Sequence, residues 1–176
     1  MSGVILVTGV MASGKSTVAQ ALAERVVRAA HVRGDAFRRM IVSGREEYDG
    51  VAGGEGEDQL RLRYRLSAAT ADTYAEAGFT AVVQDVVLGE ELAAYVRLIR
   101  TRPLYVVVLA PSPETVAARE AGRAKSGYGA AWTVAELDRV LREETPRIGL
   151  WLDSSSLSVG ETVEEILAGR ERARVR

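Results

Sequence analysis

Val4-Ile5-Leu6-Val7-Thr8-Gly9-Val10-Met11-Ala12-Ser13-Gly14-Lys15-Ser16-Thr17 stands almost at the start of the chain, and its reading decides the fold. Val4 to Val7 is too apolar to face water on either side, so it reads as a strand buried on both faces. Gly9 to Ser16 satisfies G-x-x-x-x-G-K-[ST] at every defined position. From Lys15 the pattern turns helical. Val18, Ala21, Leu22, Val26 and Ala29 recur at 3.6 spacing, which predicts a helix over Lys15 to Ala30. Strand, glycine loop and helix together make a cradle for phosphate. Gly9 and Gly14 let the backbone turn so that amides point inward, with Met11, Ala12 and Ser13 supplying the loop between them. The helix N-terminus adds partial positive charge. Lys15 reaches the β- and γ-phosphates, Ser16 offers a hydroxyl to Mg²⁺, and Thr17 lies toward the α-phosphate. The motif predicts nucleotide binding and leaves the reaction open, because GTPases, kinases and mechanical ATPases share it.

Outward from this stretch, apolar β-branched runs alternate with helical patterns, the mark of an α/β domain with a parallel sheet and helices on both faces. A short second strand ends near Asp35, and Ala36 to Ser43 reads as a brief helix. Gly44 to Gly56, with five glycines, reads as a mobile loop. Glu57 to Ala77 is a long helix closed by Gly78. Phe79 to Val87 is the third strand, Gly89 to Arg100 a helix, and Leu104 to Leu109 the fourth strand. Ser112-Pro113-Glu114 starts a helix running to about Ala121. Thr133 with Glu136, and Ser158 with Glu161, form capping boxes around a last strand at Gly149 to Leu152. One domain is expected over 1–169, with a charged tail, 170–176, that frays.

Composition narrows the function. The 176 residues carry a net charge of −1, against a surface built mainly for nucleic acid. No cysteine is present, which rules out disulfides, thiolate metal sites and cysteine nucleophiles. His31 is the only histidine. No apolar run approaches a membrane span, and the start has no basic segment or cleavage site, so a cytoplasmic location is expected.

Phosphoryl transfer to an alcohol needs a held acceptor, a carboxylate for its proton, and positive charge over the moving group. Asp35, at the end of the second strand, faces the same crevice as the phosphate loop. It is a candidate base, or a cap for the helix that follows. Asp85 follows Ala81-Val82-Val83-Gln84, the Walker B pattern, and is a candidate for Mg²⁺ or for the acceptor. Gln84 alternates to the opposite face. Arg119 and Arg123 share a helical face, and Lys125 to Gly129 follow. This segment, about 119–131, reads as a lid that brings arginines onto the phosphates, or as a solvated basic helix end. Arg61 and Arg65 share a face of the long helix, with Arg63 pointing elsewhere; with Arg38 and Arg39 they grip an acceptor or sit as surface charges. Tyr48, Tyr64, Trp132 and Trp151 are candidates for ligand stacking or for packing.

On Gly9 to Ser16, Gly34-Asp35, Val82 to Asp85, Arg119 to Gly129 and Trp151 to Ser155, the chain resembles the nucleoside-kinase-like P-loop kinases, in the style of chloramphenicol phosphotransferase, gluconate kinase, shikimate kinase and adenylate kinase. The resemblance implies a three-layer P-loop fold with a five-stranded parallel sheet in the order 2-3-1-4-5. It implies a lid between the fourth and fifth strands. It matches Asp35 to the base of antibiotic phosphotransferases and sets Ser154 near the adenine. The glycine-rich acceptor motif of shikimate kinase is missing, since Val86-Val87-Leu88-Gly89 stands there. The expected activity is ATP- and Mg²⁺-dependent phosphorylation of a small-molecule hydroxyl by a monomer or homodimer, with a nucleoside or nucleotide kinase and a non-kinase nucleotide switch as alternatives. No N-K-x-D guanine motif is present.

Overall fold

A computed structural model of the chain describes residues 2–50, 52–122 and 132–175. In chain order the elements are β1 (Val4–Gly9), α1 (Lys15–Glu24), β2 (Ala29–Arg33), α2 (Gly34–Arg39), α3 (Glu55–Glu76), β3 (Thr80–Gln84), α4 (Glu91–Leu98), β4 (Leu104–Leu109), α5 (Pro113–Ala121), α6 (Val134–Arg139), β5 (Leu150–Leu152), α7 (Val159–Ala168) and α8 (Arg170–Ala173). The five strands form one parallel sheet in the order β2-β3-β1-β4-β5.

Strand alternation divides the core in two. Val4 and Leu6 turn to a layer with Tyr64, Ala68, Leu92, Tyr95, Leu137 and Leu141. Ile5 and Val7 turn to the other face, against Val18, Leu22, Val163 and Ile166. β1 and β4 are buried along their whole length, as strands covered by helices on both faces must be. Each fully buried Val, Leu or Ile contributes about 1.5–3 kcal/mol of transfer free energy.

The element boundaries differ from the periodicity in instructive places. α1 stops at Glu24, short of Ala30, because Ala29 to Arg33 pair with Thr80 to Gln84 as an edge strand. Ladder bonds along the sheet outweigh a helical period carried by Val26 and Ala29. β3 ends at Gln84, short of Val87. Past it, the Thr8 hydroxyl donates to the Val87 carbonyl (3.0 Å) and accepts from the Val87 amide (2.9 Å), which replaces the ladder with a side chain. The caps stand as read. Ser112 accepts from the Thr115 amide, and both capping boxes, Thr133–Glu136 and Ser158–Glu161, are closed. α6 continues as a π-helical turn over Val140–Glu144.

The tail does not fray as expected. Ala173 is fully buried, Arg174 bridges to Tyr105, and the Val175 amide donates to the Leu104 carbonyl at 2.9 Å. Small apolar Ala173 and Val175 dock the segment despite its arginines. No helix among the described residues is long and apolar enough to cross a membrane.

Candidate active site

Three neighbouring strands end on one rim of the sheet, and each delivers part of the site. β1 runs into the phosphate loop, β3 into Asp85, and β2 into Gly34 and Asp35. In a parallel sheet the carboxyl ends of the strands bound the ligand crevice.

Gly9 (φ +143°) sits so close to the Leu109 carbonyl that a side chain would collide with it. Gly14 (φ +94°) is the N-cap of α1 in left-handed conformation, and Ala12 also takes a positive φ of 61°. Lys15 is buried, and its ammonium donates to the Val10 carbonyl at 2.6 Å. Met11 and Ala12 lean on the core, and the buried Ser13 hydroxyl has no hydrogen-bond partner. Ser16 and Thr17 line the outer side of α1, where a hollow of about 400 Å³ is shared with Gln20 and Arg33.

Asp85 is almost wholly buried. Its Oδ1 lies 3.0 Å from Arg63 Nη2 in an ion pair and accepts from the Val86 amide (2.8 Å), while its buried Oδ2 has no hydrogen-bond partner. Burial pushes its carboxyl above the usual range. Arg63, the Val86 amide and Lys15 pull the other way, and the Asp35 charge adds to the rise. Gly34 is pressed against this carboxylate, and any side chain there would overlap Oδ2. Gln84, one residue earlier, is also buried, with Oε1 unpartnered.

Asp35 lies in the first turn of α2, half-exposed and paired with Arg39 at 3.0 Å. It is not the helix cap; that position belongs to Arg33, which makes no side-chain capping bond. Arg119 joins the loop to the far side of the crevice, donating to the carbonyls of Ser13 (3.2 Å) and Ser154 (3.0 Å). Arg123 and the remainder of the lid through 131 lie outside the described residues.

The arginines of α3 are arranged differently from the expectation. Arg61 faces outward, held by Glu57 (2.9 Å) and Glu91 (3.2 Å). Arg63, expected to point elsewhere, is the one that enters the site. The signal was present in the helical period, since Arg63 falls three residues after Leu60 and four before the buried Ser67. A cation on that stripe must find a buried carboxylate. Arg38 pairs with Glu47 on the loop between α2 and α3. Of the aromatic candidates, Tyr64 is core, with its hydroxyl on the Val86 carbonyl at 2.7 Å, and Trp151 lies under Arg147. Tyr48 and Trp132 meet each other, ring centroids 6.2 Å apart.

The AAA domain family matches the chain over residues 4–146. No curated protein matches it by sequence. Among solved structures, it is similar to an unliganded sugar kinase from Janibacter sp., at 20% identity and a TM-score of 0.68 over 98% of this chain and 96% of that one. It is similar to a gluconokinase from Sinorhizobium meliloti at 25% identity, TM-score 0.64, over 97% and 92% of the two chains. A tunicamycin resistance protein from Deinococcus radiodurans gives 17% identity and a TM-score of 0.67 over 100% and 99%.

Proposed function

The chain belongs to the AAA domain family, here a P-loop domain, and from that premise we propose that it is a kinase that transfers the γ-phosphoryl group of ATP to a hydroxyl of a small molecule. The observation that carries this reading is the delivery of Lys15, Asp85 and Asp35 to one rim by three adjacent strands. The sheet order, with β3 directly beside β1, is the one implied by the resemblance to P-loop kinases. Sugar kinase and gluconokinase among the similar structures support an alcohol acceptor.

The loop amides and Lys15 bind the phosphates, and Arg119 steadies the loop from the Ser154 side. Asp35, half in solvent, takes the proton of the acceptor hydroxyl as that oxygen bonds to phosphorus and the bond to the departing ADP breaks. Ser16 and Asp85 are the oxygen donors suited to Mg²⁺, and the unpartnered Oδ2 of Asp85 is a fitting ligand atom. When bound, Mg²⁺ neutralises the β- and γ-phosphate oxygens. The acceptor side favours a neutral molecule. Arg38, Arg39 and Arg61 are each already paired with a carboxylate, which leaves none of these three as an uncompensated cation for an anionic acceptor.

The test is ADP release from MgATP with and without a pool of sugars, polyols, hydroxylated antibiotics and nucleosides, followed by mass spectrometry of the product. Stimulation with a phosphorylated product is expected. Turnover that no acceptor in the pool alters would favour a nucleotide switch instead. Lys15→Ala should abolish transfer with thermal unfolding unchanged. Asp35→Asn should lower kcat by roughly 10²–10⁴ while nucleotide still binds.

A further inference from the structure

The ion pair between Arg63 and Asp85 is half made. Arg63 is enclosed, its side chain 15% exposed against 49% for Arg61 two residues away. A guanidinium and a carboxylate can close two parallel hydrogen bonds. Here neither closes: the contact is a single ion-pair approach, Nη2 to Oδ1 at 3.0 Å, and both Arg63 Nε and Asp85 Oδ2 are buried without a hydrogen-bond partner. Each orphaned group retains its desolvation cost, so the pair is poorly optimised for stability.

The carboxylate is the fixed member. Val86 holds Oδ1 through its amide, and Gly34 closes on Oδ2. Arg63 is the member able to move: its stem is long, and the Tyr64 ring lies 5.5 Å from its guanidinium carbon, a surface on which a cation can rest. Lys15, the other cation acting on Asp85, is engaged with the Val10 carbonyl.

We propose that Arg63 is an internal counter-ion that neutralises Asp85 in the metal-free protein and is displaced when Mg²⁺ enters with nucleotide, so that metal loading releases a guanidinium toward the acceptor side. The proposal rests on the reading of Ser16 and Asp85 as the Mg²⁺ donors. It gives the protein an order of events. A buried carboxylate cannot stand unpaired, and one cation replaces another without exposing it. The acceptor then meets a cation that was unavailable before metal bound.

The experiment is calorimetric titration of the full chain with ADP, once with Mg²⁺ and once with EDTA. The ratio of the two Kd values is the metal coupling, and it cancels any general effect of charge on nucleotide affinity. Arg63→Gln removes the competitor and should raise that ratio at least about fivefold, the low end of ordinary coupling between linked sites. Arg63→Lys should raise it less. In an Asp85→Asn background, Arg63→Gln should leave the ratio where it is. In the unaltered protein, the Arg63 Nε–H resonance should move with MgADP and stay in place with ADP and EDTA, which decides the matter even if Arg63→Gln fails to fold. A ratio unchanged or lowered by Arg63→Gln, or an unmoved resonance with MgADP bound, overturns the proposal while the nucleotide site stands. No binding of ADP under either condition removes both.

Discussion

Arg119 fastens the phosphate loop to the turn after β5: one guanidinium nitrogen donates to the carbonyl of Ser13 and another to that of Ser154, at 3.2 and 3.0 Å. The two acceptors belong to segments far apart in the chain, so a single side chain ties the phosphate loop to the turn that follows β5. Arg119→Ala breaks both bonds, each of which involves a charged donor. Nucleotide affinity should fall about tenfold or more, read by calorimetry. Arg119→Lys keeps the charge without the fork and should recover only part of the loss. Undiminished affinity in Arg119→Ala would place the bridge outside the nucleotide site.

Gly34 is needed for its lack of a side chain, since a Cβ there overlaps the Asp85 carboxylate. Gly34→Ala should destabilise the fold by about 1–3 kcal/mol through overpacking, measured by urea unfolding. Combining it with Asp85→Ala, which removes the colliding atoms, should cost less than the sum of the single changes. Strict additivity would show that the two residues do not meet.

Asp72 is expected to contribute to the loss of stability in acid. Burial alone would push its carboxyl up, but the amides of Thr101 and Arg100 and the Arg100 side chain outweigh burial and hold it below the usual range. A folded value below the unfolded one means that its contribution is fully present above about pH 4 and is lost as pH falls through the folded value. Asp72→Asn should therefore lower stability at neutral pH and flatten the decline below pH 4, as seen in unfolding midpoints taken across that window. An unchanged acid profile would assign the decline to other carboxylates.

Removal of residues 170–176 should cost about 1–3 kcal/mol, from the loss of the Val175–Leu104 hydrogen bond and of buried Ala173. Thermal melting of the truncated chain checks this. A melting temperature equal to that of the full chain would return the tail to the frayed state its charge suggested.

Local chemistry explains what the sequence made legible. Glycine spacing, a lysine and a hydroxyl at fixed offsets mark the phosphate loop, and capping residues mark their helices, because each acts within a few residues of itself. The start of β2 was hidden, since Val26 and Ala29 continue a helical period that only pairing with β3 overrules. Arg63 was hidden for the opposite reason. Its position on the buried stripe of α3 was readable, but the carboxylate that accepts it lies on another element. Thr8 gave no signal, because a hydroxyl that replaces ladder bonds at Val87 looks, in sequence, like any threonine ending a strand.

Val175 binds at Leu104, where β4 begins, and the crevice opens past Leu109, where β4 ends. A tether or fusion partner joined beyond Val175 would therefore leave from the side opposite the mouth. Anchoring the protein by that end to a sensor chip or bead should leave the nucleotide entrance turned outward, whereas an anchor placed ahead of Gly34 or inside the loop after α2 would crowd it.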